Sequence, residues 1–151
     1  MREVLRDRNI ATILVSTLLL GIGYGISIAL TSLHLDAAHF GKEDIGSLAA
    51  WFAGGIVLFS IPVGQIVRIV SPKWTLVGAL AGYAVVVTLF PHLHAFWLIA
   101  AARFFDGAFS VGVWVGSETA LLARADPKRK AFVMSLYAVS MAVGYVLGPI
   151  I

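Results

Sequence analysis

Five apolar stretches, at about residues 10–33, 45–69, 73–90, 95–122 and 131–151, take up most of this sequence, and each is long enough to cross a bilayer. Runs of that length are read as transmembrane helices, because a helix satisfies its own backbone hydrogen bonds in hydrocarbon. Composition agrees: 60% of residues are hydrophobic and 13% charged, with a mean hydropathy of +0.93. The fold class expected is an all-α membrane protein, a bundle of five transmembrane helices. The chain has no Cys, which removes disulfides, thiolate metal sites and thiol catalysis.

The fourth stretch, residues 95–122, is the unusual one, because it carries Arg103, Asp106 and Glu118. A charge at the bilayer centre costs at least about 2.5–3.5 kcal/mol, so such residues face a bundle interior or a wet cavity. At about 100° per residue, Arg103, Asp106, Gly107, Ser110, Trp114, Ser117 and Glu118 share a sector of roughly 120°. Phe104, Phe105, Ala108, Phe109, Val111, Val113 and Val115 lie outside it. One face of this helix is polar, and the rest suits lipid or packed helices. Arg103 and Asp106, at i and i+3, can pair directly.

The other stretches carry packing signals. Gly21, Gly23 and Gly25 in the first, and Gly54, Gly55 and Gly64 in the second, are expected to admit a neighbouring backbone. Thr12, Ser16, Tyr24, Ser27 and Thr31 form a loosely polar side of the first span, although each hydroxyl can instead bond its own helix carbonyls. Pro62 marks a kink in the second span. Ser71-Pro72 and Asp126-Pro127 both read as a cap followed by a first helical residue. The first stretch is too long for a signal-peptide core and is read as a retained anchor. His34 to Asp44 is read as a solvated loop, since its His and acidic residues match no metal-ligand spacing.

Nine of the eleven Lys and Arg residues lie at the amino terminus, in the 68–73 turn and in the 124–130 turn. The opposite loops hold only Lys42. This asymmetry puts the amino terminus and those two turns on the cytoplasmic side, and the expected location is a plasma (inner) membrane. It also explains the basic residues without nucleic acid. The chain stops inside apolar sequence, so further spans are expected after Ile151, and residues 1–151 read as one amino-terminal transmembrane domain.

At this point the residues resemble the major facilitator superfamily over the whole chain, as spans one to five of twelve. Arg103-Phe-Phe-Asp106-Gly107 is similar to the family's R-x-x-Q-G pattern, with Asp106 in the Gln position. Gly144-Tyr-Val-Leu-Gly148-Pro149 is similar to the G-x-x-x-G-P core of the antiporter signature, with Ser135 where the longer form has Gly. The G-x-x-x-D-R-x-G-R-R turn is degraded: Gly64 is kept, Arg68 stands in the Asp position, Ile69 in the Arg position and Ser71 in the Gly position, with Lys73 supplying a nearby charge. The run Gly112-Val-Trp114-Val-Gly-Ser117-Glu118-Thr119 is similar to the YcaD-type branch of bacterial transporters.

The resemblance implies half of a secondary transporter, an incomplete 3+3 inverted repeat that rocks against a missing carboxyl-terminal half. It implies proton-coupled efflux of a small molecule, with the proton gradient as energy source and no cofactor. Arg103, Asp106, Ser110, Trp114, Glu118 and Tyr24 are the expected substrate or proton pathway. Gly64, Arg68, Lys73, Gly144, Gly148 and Pro149 are the expected gating or conformational set. Desolvation favours the neutral acid of Asp106 and Arg103 favours its carboxylate, a balance that an arriving substrate can tip. Each residue also has a plainer use. The pair can be a static one, Glu118 an interfacial carboxylate, Trp114 a space filler, and Gly144 with Gly148 a packing notch. An accessory membrane scaffold is the alternative function. An enzyme is not expected, because the chain has no nucleophile–base pair, no H-E-x-x-H and no phosphate loop.

Overall fold

The computed structural model describes residues 8–151; Arg2, Arg6 and the Arg8 side chain of the basic start lie outside the described residues. The apolar stretches form α1 (Arg8–Ala37), α2 (Lys42–Val70), α3 (Pro72–Leu89), α4 (Phe96–Arg124) and α5 (Lys130–Leu147). Among the described residues these are the five helices long and apolar enough to cross a membrane. Three single 3₁₀ turns, Phe90–His92, Pro127–Arg129 and Gly148–Ile150, follow α3, precede α5 and follow α5.

Several helix ends differ from the sequence expectation, and the differences have local causes. α1 runs on to Ala37, so Asp36 is helical rather than part of a loop. α2 begins at Lys42, with Glu43 and Asp44 in its first turn, where carboxylates meet the positive end of the helix dipole. The Gly41 N–H donates to the Asp44 carboxylate at 3.2 Å. At the α2–α3 turn, Pro72 opens the helix as expected, but Ser71 makes no side-chain cap. Its φ of 92° places the backbone in the left-handed region, and its carbonyl accepts the Thr75 hydroxyl at 2.9 Å. Asp126 does cap, its side chain accepting from the Lys128 N–H at 2.9 Å. Pro62 lies inside α2 without ending it.

The chain divides into two units: residues 1–33 with 118–151, and residues 34–117. In the first, α1 and α5 meet through four glycines. A Cβ built on Gly21 would stand 2.5 Å from the Met141 carbonyl oxygen, and one on Gly144 2.5 Å from that of Leu18. Gly25 and Gly148 repeat the arrangement one turn along, with a Cβ on Gly148 only 2.6 Å from the Ile22 carbonyl oxygen. Glycines four apart on both helices bring the backbones together, as small-xxx-small packing does. Gly23 corrects the expectation of close packing: nothing lies within 4 Å of its built Cβ. It sits about 200° around the helix from Gly21. Ile10, Leu14, Leu121, Ala125, Val133 and Tyr137 form the apolar core of this unit.

In the second unit, α2 and α3 both pack on α4. Leu35, Leu48, Phe90, Ile99 and Ala100 form one buried cluster, and Val63, Val67 and Val111 another. A Cβ on Gly55 would overlap the Phe104 carbonyl oxygen. Gly64, by contrast, has nothing within 4 Å of a built Cβ, a second correction. Nine residues beyond Gly55, it faces the opposite side of α2.

Candidate functional site

Helix α4 has no proline from Phe96 to Arg124, and its glycines serve its neighbours. Gly107 admits the Phe52 carbonyl and the Ile56 backbone of α2, while Gly112 and Gly116 receive Ala79 and Leu76 of α3. Two sides of α4 are thereby committed to packing. The remaining arc carries Asp106, Ser110, Val113 and Ser117, and all four are buried, Ser110 to 0% exposure and Asp106 to 5%. Of the sector read from the sequence, Asp106, Gly107, Ser110 and Ser117 are buried, whereas Arg103, Trp114 and Glu118 are partly exposed.

Arg103 donates from Nη1 to Oδ2 of Asp106, an ion pair between i and i+3 of one helix. The Arg103 Cζ also lies 4.5 Å from the centroid of the Phe52 ring on α2. Tyr83, on α3, is within electrostatic reach of the same guanidinium. Asp106 keeps its second oxygen, Oδ1, buried without a hydrogen-bond partner, and so does Ser110 its Oγ one turn further on. That sets Ser110 apart. Thr17, Ser32, Ser60, Thr75, Thr88, Ser117 and Ser135 all donate to the carbonyl four residues back. Chemically, the cluster holds a neutralised ion pair with one spare carboxylate oxygen and one spare hydroxyl, flanked by aromatic rings.

The other residues singled out by the sequence are not all in this cluster. Ser117 uses its hydroxyl locally, on the carbonyls of Val113 at 2.7 Å and Trp114 at 3.0 Å. Trp114 is half-buried. Glu118 belongs to the first unit and forms no ion pair with Arg124, Lys128 or Lys130 there, among the described residues. Tyr24, 3% exposed, also belongs to the first unit and stacks on Tyr145 with ring centroids 5.9 Å apart. Arg68 is exposed, and the Lys73 ammonium lies 5.6 Å from the ring centroid of Trp74. Gly144 and Gly148 are buried at the α1–α5 contact, and the Pro149 ring meets the space over Gly25. An open cleft of about 450 Å³ in the second unit is lined by His34, Ala37, Phe40, Leu93 and His94, and none of the pathway residues borders it.

Phe52 and Tyr83 are the partners the sequence reading missed. Both are single aromatics in apolar helices, and only the packing of α2 and α3 on α4 brings them to Arg103. The signal that could have found them is chemical: an arginine in an apolar span needs partners beyond one carboxylate, and a ring face is one.

The profile of the Major Facilitator Superfamily matches residues 13–151. The chain is 30% identical over 111 residues to the efflux pump patC of Aspergillus clavatus, covering 72% of this chain and 20% of the relative. It is 28% identical over 107 residues to the MFS-type transporter patC of Penicillium expansum, covering 71% and 20%. A phomenoic acid biosynthesis cluster MFS-type transporter of Leptosphaeria maculans is 26% identical over 112 residues, covering 72% and 17%. The chain thus spans about a fifth of the length of these curated relatives.

Proposed function

The chain belongs to the Major Facilitator Superfamily, and from that membership we propose that it supplies the amino-terminal spans of a secondary transporter that exports a small molecule in exchange for protons. The observation that carries the reading is the Arg103–Asp106 pair, with side chains only 13% and 7% exposed, inside an apolar span. Two charges taken out of water rarely repay their desolvation in stability. An ionisable pair inside an apolar span is therefore better accounted for by function. The names of the relatives, an efflux pump and two MFS-type transporters, support the same direction.

In this reading Asp106 alternates between a carboxylate bound to Arg103 and a protonated acid, and substrate arrival changes which form is favoured. Ser110 offers the substrate or the proton a further polar contact, and Trp114, Glu118 and Tyr24 line the rest of the route. Rocking of two half-transporters exposes the pair to one side of the membrane and then the other. Gly64, Arg68, Lys73, Gly144, Gly148 and Pro149 act in that motion. The proton gradient is the energy source, with no cofactor, and the carboxyl-terminal half completes the pathway. The basic amino terminus and basic turns support an amino terminus in the cytoplasm, and the membrane proposed is the plasma (inner) membrane.

The test is made on the full-length protein. A resistance screen in an efflux-deficient host supplies a transported compound, and proteoliposomes with an imposed pH gradient then report its transport. Asp106→Asn is expected to abolish gradient-driven transport while the protein remains folded. Undiminished transport would remove the proton role of Asp106.

A further inference from the structure

Arg103 has two partners of different kinds. Asp106 binds it by charge and hydrogen bond, on the same helix. Phe52 offers a ring face 4.5 Å from its guanidinium carbon, on α2. The ring is not loosely placed. The Phe52 backbone carbonyl occupies the space that a Cβ on Gly107 would need, so α2 and α4 touch one turn from Arg103. A contact that helps hold the helix crossing thus also positions the Phe52 backbone from which the ring extends.

A guanidinium whose sole partner is a carboxylate is stranded when that carboxylate is neutralised, and a buried unpaired cation is strongly unfavourable. The attraction of a ring face for a cation persists when the carboxylate is neutralised, and it strengthens once that carboxylate no longer competes for the guanidinium. We propose that Phe52 is the positioning residue that holds Arg103 while Asp106 carries its proton. The pair then alternates between a carboxylate-bound and a ring-held guanidinium without Arg103 leaving its place. The proposal rests on the proton-exchange reading and adds to it the group that makes the protonated state tolerable. The charged and titratable groups acting on Arg103 are Asp106 of α4 and Tyr83 of α3. Arg103 is the charge acting on Asp106, and α2 brings the uncharged Phe52.

The test follows the proton itself. Infrared spectra of the purified full-length protein in lipid nanodiscs report the protonated-carboxyl stretch as pH is varied, and its loss in Asp106→Asn assigns the Asp106 band. Removing the ring face leaves Arg103 uncovered once Asp106 is protonated, so protonation has to be driven by more acid. Phe52→Leu is expected to move the Asp106 titration down by roughly half a unit to one unit. Phe52→Tyr, which keeps the face, is expected to titrate as wild type. Replacing Phe52 by pentafluorophenylalanine keeps the shape but removes the negative face, and is expected to shift as Phe52→Leu does, even if the leucine variant folds poorly. A fluorinated variant that titrates as wild type overturns the role of Phe52 and leaves proton exchange standing. A wild-type protein with no Asp106 band at any pH overturns proton exchange at this residue, and the role of Phe52 with it.

Discussion

The backbone carbonyl of Phe52 sits against Gly107 so closely that no side chain larger than hydrogen fits between them. Together with Gly55 against the Phe104 carbonyl, this contact brings α2 and α4 together, and the Phe52 ring lies beside Arg103. Gly107→Ala is expected to force the two helices apart and destabilise the fold by about 1–3 kcal/mol, the usual range for overpacking. Gly64→Ala serves as its partner experiment, because nothing lies within 4 Å of that Cβ. There the gain in helix propensity is expected to leave stability unchanged or raised by up to about 1 kcal/mol. Unfolding midpoints in detergent check both, and equal effects would contradict the packing described.

The α1–α5 contact makes a parallel case. Gly148→Ala would press a methyl group to within 2.6 Å of the Ile22 carbonyl oxygen, whereas Gly23→Ala meets open space. The first is expected to lower thermal stability and the second to leave it unchanged. If Gly148→Ala instead gives a protein as stable as wild type that leaks protons, the residue acts as a bending point rather than a packing notch.

These pairs show what the sequence could and could not convey. The five spans, the polar sector of α4 and the Arg103–Asp106 spacing follow from periodicity, and periodicity is local. The glycines at i and i+4, Gly21 with Gly25 and Gly144 with Gly148, could be read in the same way. Gly23 and Gly64 could not, because which face of a helix meets a neighbour is decided by the whole bundle. Phe52 and Tyr83 were illegible for the same reason. The spare oxygen of Ser110 was also hidden, since a serine in an apolar helix ordinarily bonds its own backbone.

Ser71 concerns backbone rather than packing. It stands where the resembled turn motif has Gly, and it adopts φ 92°, a conformation glycine takes without steric penalty. The motif has lost its glycine but not the turn that called for it. Ser71→Gly is expected to stabilise the protein by roughly 1 kcal/mol through relief of that strain. The Thr75 hydroxyl bond to the residue 71 carbonyl is a backbone contact and survives the change. A thermal midpoint that fails to rise would show that the serine side chain has a compensating role.

Ser110 separates stability from transport within one side chain. Its hydroxyl is fully buried and unpartnered, and a buried hydroxyl without a hydrogen bond is a net burden on the folded state. Ser110→Ala is therefore expected to leave stability unchanged or raise it by about 1 kcal/mol. Ser117→Ala, which gives up bonds to the Val113 and Trp114 carbonyls, is expected instead to lower stability, as loss of a buried bonded hydroxyl does. If Ser110 contacts substrate or proton, its alanine variant transports less while unfolding at the same temperature or higher. A Ser110→Ala protein that is both stable and fully active would assign that oxygen to neither fold nor pathway. One that is less stable than wild type would mean that the hydroxyl has a structural partner after all.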